Sequence, residues 1–105
     1  MIKLRSVTKL FAGSGEGPVA ALDKIELAVR PGEFVAVTGP SGSGKSTMLF
    51  AIGGMLEPTD GAVDLAGTDI YSLSHSERAA LRRTRIGFVF QTFNLIPYLT
   101  CLENV

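Results

Sequence analysis

Gly39, Gly44, Lys45 and Ser46 stand at the spacing G-x-x-x-x-G-K-[ST], inside the stretch "GPSGSGKST" that runs from residue 39 to residue 47. These are residue types for holding phosphate. Glycines let backbone N–H groups converge on phosphate oxygens without a Cβ in the way, and a helix that starts there adds partial positive charge. In such a loop Lys45 reaches the β- and γ-phosphates of a nucleotide, Ser46 places its hydroxyl on Mg²⁺, and Thr47 contacts the α-phosphate side. Pro40, Ser41, Gly42 and Ser43 complete the cradle. With glycine at about a tenth of the chain, chance would give the pattern in about one sequence of this length in a hundred. Without a ligand, the same stretch would be a glycine-rich connector.

A buried strand before such a loop and a helix after it are the context that makes the pattern meaningful, so the flanking elements are read next. "FVAV", residues 34 to 37, follows a turn at Pro31-Gly32, has no polar alternation, and reads as a strand buried on both faces. Residues 45 to 52 are free of helix breakers and read as a helix that Gly53-Gly54 ends. Upstream, Ile2 and Leu4, then Ile25, Leu27 and Val29, alternate with charged or small residues, the two-residue period of half-buried antiparallel strands. "AGSGEGP" is the loop between them. Downstream, "PTDG" at 58 to 61 turns the chain into a strand pair around Val63, Leu65 and Ile70. Ser74 and Glu77 have capping-box spacing, which predicts a helix over residues 75 to 84, and "IGFVF" at 86 to 90 reads as another buried strand.

The whole-chain numbers narrow the setting. A chain of 105 residues is one domain or less. With the 12 glycines counted in and the 2 tyrosines left out, apolar residues make up about 55% of the chain, above the ~45–50% usual for a soluble domain on the same count. That surplus suggests a slice of a larger core. Ten basic and ten acidic residues cancel, so bulk charge calls for neither nucleic acid nor an anionic membrane. The single cysteine, Cys101, excludes an internal disulfide and any multi-cysteine metal site. The longest apolar run, residues 48 to 56, holds two glycines and is far short of the ~20 residues of a membrane span. Lys3, Arg5 and Lys9 break the N-terminal apolar stretch that a signal peptide would need. Thr100 and Glu103 repeat the capping-box spacing and announce a helix near residue 101 that has about one turn before Val105, so the sequence is read as part of a longer domain.

Other residues carry less. Arg78, Arg82, Arg83 and Arg85 complement a helix C-terminus and are read as a solvated face. His75 has no second ligand at metal spacing and is read as a surface residue, and Cys101 as a small buried one. Phe50 leaves the packing of its helix face open.

With these residues in view, the chain resembles the ATP-binding subunits of ABC transporters over its whole length, roughly the N-terminal half of such a subunit. The resemblance rests on "GEFVAVTGPSGSGKSTML", on "PTDGAVDLAGTDI" and above all on "RRTRIGFVFQTFNLIPYLTCLENV", which looks like that family's Q-loop region and is most similar to lipoprotein-releasing and macrolide-exporting ATPases. The resemblance implies that Phe11 stacks on the adenine ring, which as structure alone would be a core residue ending a strand. It implies that Gln91 is the Q-loop glutamine that coordinates Mg²⁺ or its waters, where taken alone it would be a polar loop residue. It further implies Lys45 and Gln91 as the catalytic pair, ATP and Mg²⁺ as cofactors, and pairing with a second nucleotide-binding subunit. The segment after Gln91, with Phe93, Leu95, Ile96, Tyr98 and Leu99, would dock a helix of a transmembrane subunit. The implied location is cytoplasmic, on the inner face of the cell membrane.

The family's signature segment "LSGGQ" and an apolar strand ending in Asp-Glu do not occur in these residues. The expected fold is therefore an α/β P-loop NTPase core of the ABC ATPase kind with an antiparallel β side sheet, incomplete C-terminally. Residues 1 to 105 would be the N-terminal part of a single nucleotide-binding domain. Two other functions fit the loop: a different P-loop NTPase such as a small-molecule kinase, or a nucleotide-binding module without hydrolysis. A chromosome-organising ATPase of similar type would carry heptads, and none occur.

Overall fold

The computed structural model describes residues 1–13, 15, 17–91 and 97–104. Two long strands, β1 (Ile2–Phe11) and β2 (Val19–Val29), pair antiparallel, and β1 pairs on its other edge with β3 (Asp60–Leu65). A short β4 (Thr68–Asp69) completes a sheet of order β2-β1-β3-β4. The alternation read in Ile2, Leu4, Ile25, Leu27 and Val29 is the pairing observed: Leu4 lies opposite Leu27 on one side and Val63 on the other. β3 and β4 are joined through Ala66 and Gly67, both at positive φ (51° and 86°), as a two-residue hairpin with the sheet's own twist requires.

One irregularity sets the core. Leu4 and Val7 are both fully buried, yet an odd spacing would put them on opposite faces of a regular strand. Residues 4 to 7 of β1 span only Leu27 to Ile25 on β2, the extra residue of a β-bulge. Ser6, at φ 49°, takes up the kink, and its N–H and hydroxyl both donate to the Glu26 carboxylate, at 2.7 and 2.8 Å. Val7 thereby returns to the inner face, where Leu4, Leu22, Val63 and Ile70 form the core.

Helix α1 (Lys45–Ile52) rests Met48 and Ile52 on that core, and Gly53 and Gly54 end it. Helix α2 (His75–Arg85) opens with the expected capping box: the Ser74 hydroxyl accepts from Glu77 N–H and the Glu77 carboxylate accepts from Ser74 N–H. Helix α3 (Cys101–Asn104) has the same reciprocal pair between Thr100 and Glu103.

Three expectations are corrected. Residues 34–37 and 86–90 form no strand; Phe34 and Val89 are 94% and 96% exposed. A run without polar alternation becomes a buried strand only with a paired neighbour and cover on both faces. The four strands described here are all committed to the antiparallel sheet. Cys101 is exposed, because α3 is a single turn with no buried residue. Arg78 is buried rather than solvated, and the partners described below explain why.

Candidate functional site

The loop from Gly39 to Gly44 leads into α1 with its backbone turned by glycine. Ser43 N–H donates to the Pro40 carbonyl at 3.2 Å, closing a turn, and Met48 N–H donates to Gly44 to start the helix. Gly44 is the residue the geometry demands. It sits at φ 94°, and a Cβ there would collide with the Ala21 carbonyl oxygen of β2. No side chain caps α1, and no acidic residue stands in its first turn. The free N–H groups and the positive end of the helix dipole are thus left for an external anion.

Lys45 bends back over this loop. Its ammonium donates to the Gly39 carbonyl at 2.5 Å, the Pro40 carbonyl at 2.8 Å and the Ser43 hydroxyl at 3.3 Å. Gly39, Pro40 and Ser43 therefore hold the lysine, while Ser41, Gly42, Gly44, Lys45, Ser46 and Thr47 line an open cleft of about 440 Å³. Ala21 and Gln91 close its sides. Of the residues singled out in the sequence, the P-loop set and Gln91 come together in this one cleft or directly behind it.

Phe11 stands apart from that lining. It ends β1 opposite Val19, is 42% exposed, and has the Lys9 ammonium 5.4 Å from its ring centroid. The link between Phe11 and the cleft is strand β2, which pairs with Phe11 at Val19 and contributes Ala21 to the wall. His75 is exposed. Phe93, Leu95 and Ile96 lie outside the described residues, whereas Tyr98 is exposed and Leu99 partly so.

Sequence reasoning missed two sets of contacts. The first is aromatic: Phe50 stacks on Phe88 at 5.5 Å between ring centroids, and Phe88 meets Phe90 at 4.7 Å. With Ser46, Leu49 and Gln91 they wall a second cleft of about 430 Å³ beside the first. The alternation of Phe88 and Phe90 was a signal that both point to one side of an extended chain. The second set lies at the far end of α1. Arg78 donates to the carbonyls of Ile70 (3.0 Å) and Leu73 (3.1 Å), and Arg82 to that of Gly54 (2.7 Å), so only Arg83 and Arg85 keep to the solvent. The guanidinium groups replace water with carbonyl oxygens, which makes burial tolerable.

Among the described residues no group of three or more His, Cys, Asp or Glu could hold a metal ion, and no helix is long and apolar enough to cross a membrane.

Comparison with known proteins bears on the whole arrangement. A family model described as "ABC transporter" matches residues 22–104. An uncharacterised ABC transporter ATP-binding protein of Methanocaldococcus jannaschii, MJ0796, is 51% identical over all of this chain and 44% of its own length. The lipoprotein-releasing system ATP-binding protein LolD of Novosphingobium aromaticivorans is 45% identical over all of this chain and 46% of its own. The chain thus spans less than half the length of these relatives. A dimeric structure of the MJ0796 cassette in a post-hydrolysis state, bound to ADP and Pi, superposes with a TM-score of 0.92 at 50% identity, over 100% of this chain and 45% of that one. On a match that runs through most of its length and carries the P-loop with it, the chain belongs to the ABC transporter family, within the family's ATP-binding part.

Proposed function

We infer that this chain binds the triphosphate of ATP at the N-terminus of α1, and that within a complete subunit it serves ATP hydrolysis that powers a membrane transporter. The observation that carries the reading is the cleft in which Gly42, Gly44, Lys45, Ser46 and Thr47 converge with no acidic side chain among its lining residues. A phosphate there meets uncapped N–H groups, a helix dipole and one ammonium. Lys45 exchanges neutral carbonyl partners for anionic oxygens, which adds Coulomb attraction to hydrogen bonds that its charge already strengthens.

The same lining suits Mg²⁺ only together with phosphate. Ser46 and Gln91 offer a hydroxyl and an amide oxygen, the hard donors that ion takes, and Mg²⁺ commonly completes its shell with substrate phosphates and water. When bound, the ion neutralises charge on the outer phosphates. Ser46 and Gln91 are the residues that would hold it, and Lys45 keeps the phosphates in place.

Turning over the bound nucleotide requires a group that orients water and accepts its proton, and the described cleft residues offer no carboxylate for this. We therefore read residues 1–105 as the N-terminal part of one nucleotide-binding domain that binds but does not hydrolyse by itself. The remainder of the domain, a second nucleotide-binding subunit and a transmembrane subunit complete the machine, with the whole on the cytoplasmic face of the membrane. In the segment after Gln91, Tyr98, 85% exposed, is a residue offered to the transmembrane partner. Support comes from relatives named as ATP-binding components of transport systems and from the dimeric, ADP-bound state of MJ0796.

Calorimetric titration with Mg·ATP tests the reading. Lys45→Ala should weaken binding at least about tenfold, the loss of one hydrogen bond between charged partners. Undiminished affinity would overturn the assignment of the cleft.

A further inference from the structure

We propose that Tyr71 and Arg82 are positioning residues for the phosphate-binding end of α1, acting from the helix's opposite end. The inference rests on the reading of the P-loop as the triphosphate site.

Among the described residues, helix α1 meets the apolar core through Met48 and Ile52. Of its eight residues only Ala51 is fully buried, and Leu49 is 45% exposed. Its N-terminus is a glycine loop without a capping side chain. The firm attachments sit at its C-terminus and are polar. The Tyr71 hydroxyl donates to the Ala51 carbonyl at 2.7 Å and accepts from Leu56 N–H at 3.3 Å. Arg82 donates to the Gly54 carbonyl at 2.7 Å. Both residues are themselves fixed. Arg78, bound to Ile70 and Leu73, stacks its guanidinium 4.7 Å above the Tyr71 ring, and Arg78 and Arg82 share one face of α2. Burial raises the Tyr71 phenol above its ordinary pKa, so the hydroxyl keeps the proton it donates.

The geometry gives these bonds reach. An eight-residue helix is about 12 Å long and moves as a rod, so a shift at Ala51 is delivered to the N–H groups at Lys45 and Ser46. Misplacement of that order is costly where a charged ligand needs several donors at once. Charge acts in the same sense. No basic residue stands in the last turn of α1 itself, and Arg82 of α2 supplies the cation that the negative end of the dipole favours, while phosphate occupies the positive end.

The test uses the full chain with ATP and inorganic triphosphate as probes, alongside hydrogen exchange without ligand. Tyr71→Phe keeps the ring and removes the hydroxyl. It should weaken both ligands by the same factor, about 3- to 10-fold, the worth of one hydrogen bond. Amides of residues 45–54 should exchange faster while those of β1 and β3 do not. Arg82→Lys, which keeps a cationic donor for Gly54, should retain more affinity than Arg82→Ala. Unchanged affinity in Tyr71→Phe, or faster exchange spread evenly over the sheet, overturns the proposal. Lys45→Ala measured in parallel separates the two readings. If it abolishes binding while Tyr71→Phe is silent, only the positioning role fails; if Lys45→Ala is also silent, the P-loop reading fails with it.

Discussion

Ser46 and Gln91, far apart in sequence, are the two residues that line both clefts at the start of α1, one wall polar and glycine-rich, the other built from Phe50, Phe88 and Phe90. Their shared position assigns them a joint task at the boundary between phosphate and the aromatic wall. If that task is to hold Mg²⁺ against the outer phosphates, Ser46→Ala should lower affinity for Mg·ATP about tenfold and leave ATP in chelator nearly unaffected, because a hydroxyl ligand to a charged group is lost only when the ion is present. Equal affinities of the wild type and the variant for Mg·ATP would remove Ser46 from the metal's coordination.

Gly44 combines a left-handed backbone with a close neighbour, whereas Gly67 has the same backbone in open space. Gly44→Ala should therefore cost about 2 kcal/mol or more, from the αL penalty plus displacement of β2 at Ala21. Gly67→Ala should cost only about 1–2 kcal/mol. Urea unfolding of both variants gives the comparison. Equal losses would mean that the Ala21 carbonyl yields without cost and that the loop is not braced on β2.

How far the sequence foretold this site follows from the range of the forces involved. The glycine turn into α1, that helix and both capping boxes depend on residues within a few positions of one another, and all are found where spacing placed them. The antiparallel strands announced themselves by alternation, except at Ser6, where the extra residue between Leu4 and Val7 is visible only once β2 and β3 are alongside. Residues 34–37 and 86–90 carry strand-like composition, but pairing is a property of neighbours that the run itself does not contain. Arg78 and Arg82 misled for the same reason. Their carbonyl partners at Gly54, Ile70 and Leu73 come from other elements, and no helical periodicity encodes them.

The Glu103 carboxylate accepts from the Thr100 N–H at 3.0 Å, and the Thr100 hydroxyl interacts with the same residue; together these hold Glu103 below the ordinary glutamate range. A carboxylate whose folded pKa is lowered contributes stability above its unfolded pKa and loses it as pH falls through the folded one. The α3 cap should therefore persist at neutral pH and open only in acid below the usual glutamate range. An NMR titration following the Thr100 amide proton would show the transition. A Glu103 titration at or above the ordinary glutamate pKa would contradict the cap.

Phe11 is the residue whose role depends most on ligand chemistry. Its ring is partly exposed at the end of β1, with the Lys9 ammonium 5.4 Å from its centroid, so one face is engaged by a cation. An aromatic in that position can stack on a base through its remaining face. Stacking of a base on an aromatic is worth about 1–3 kcal/mol, and it acts on the base alone. Phe11→Ala should accordingly weaken ATP by that amount and leave inorganic triphosphate nearly untouched, while Phe11→Tyr, which keeps the ring, should bind ATP much as the wild type does. Parallel titrations of the two ligands decide the case. Equal losses for ATP and triphosphate would show that Phe11 acts through β2 and Ala21 on the phosphate cleft, and that the adenine is held elsewhere.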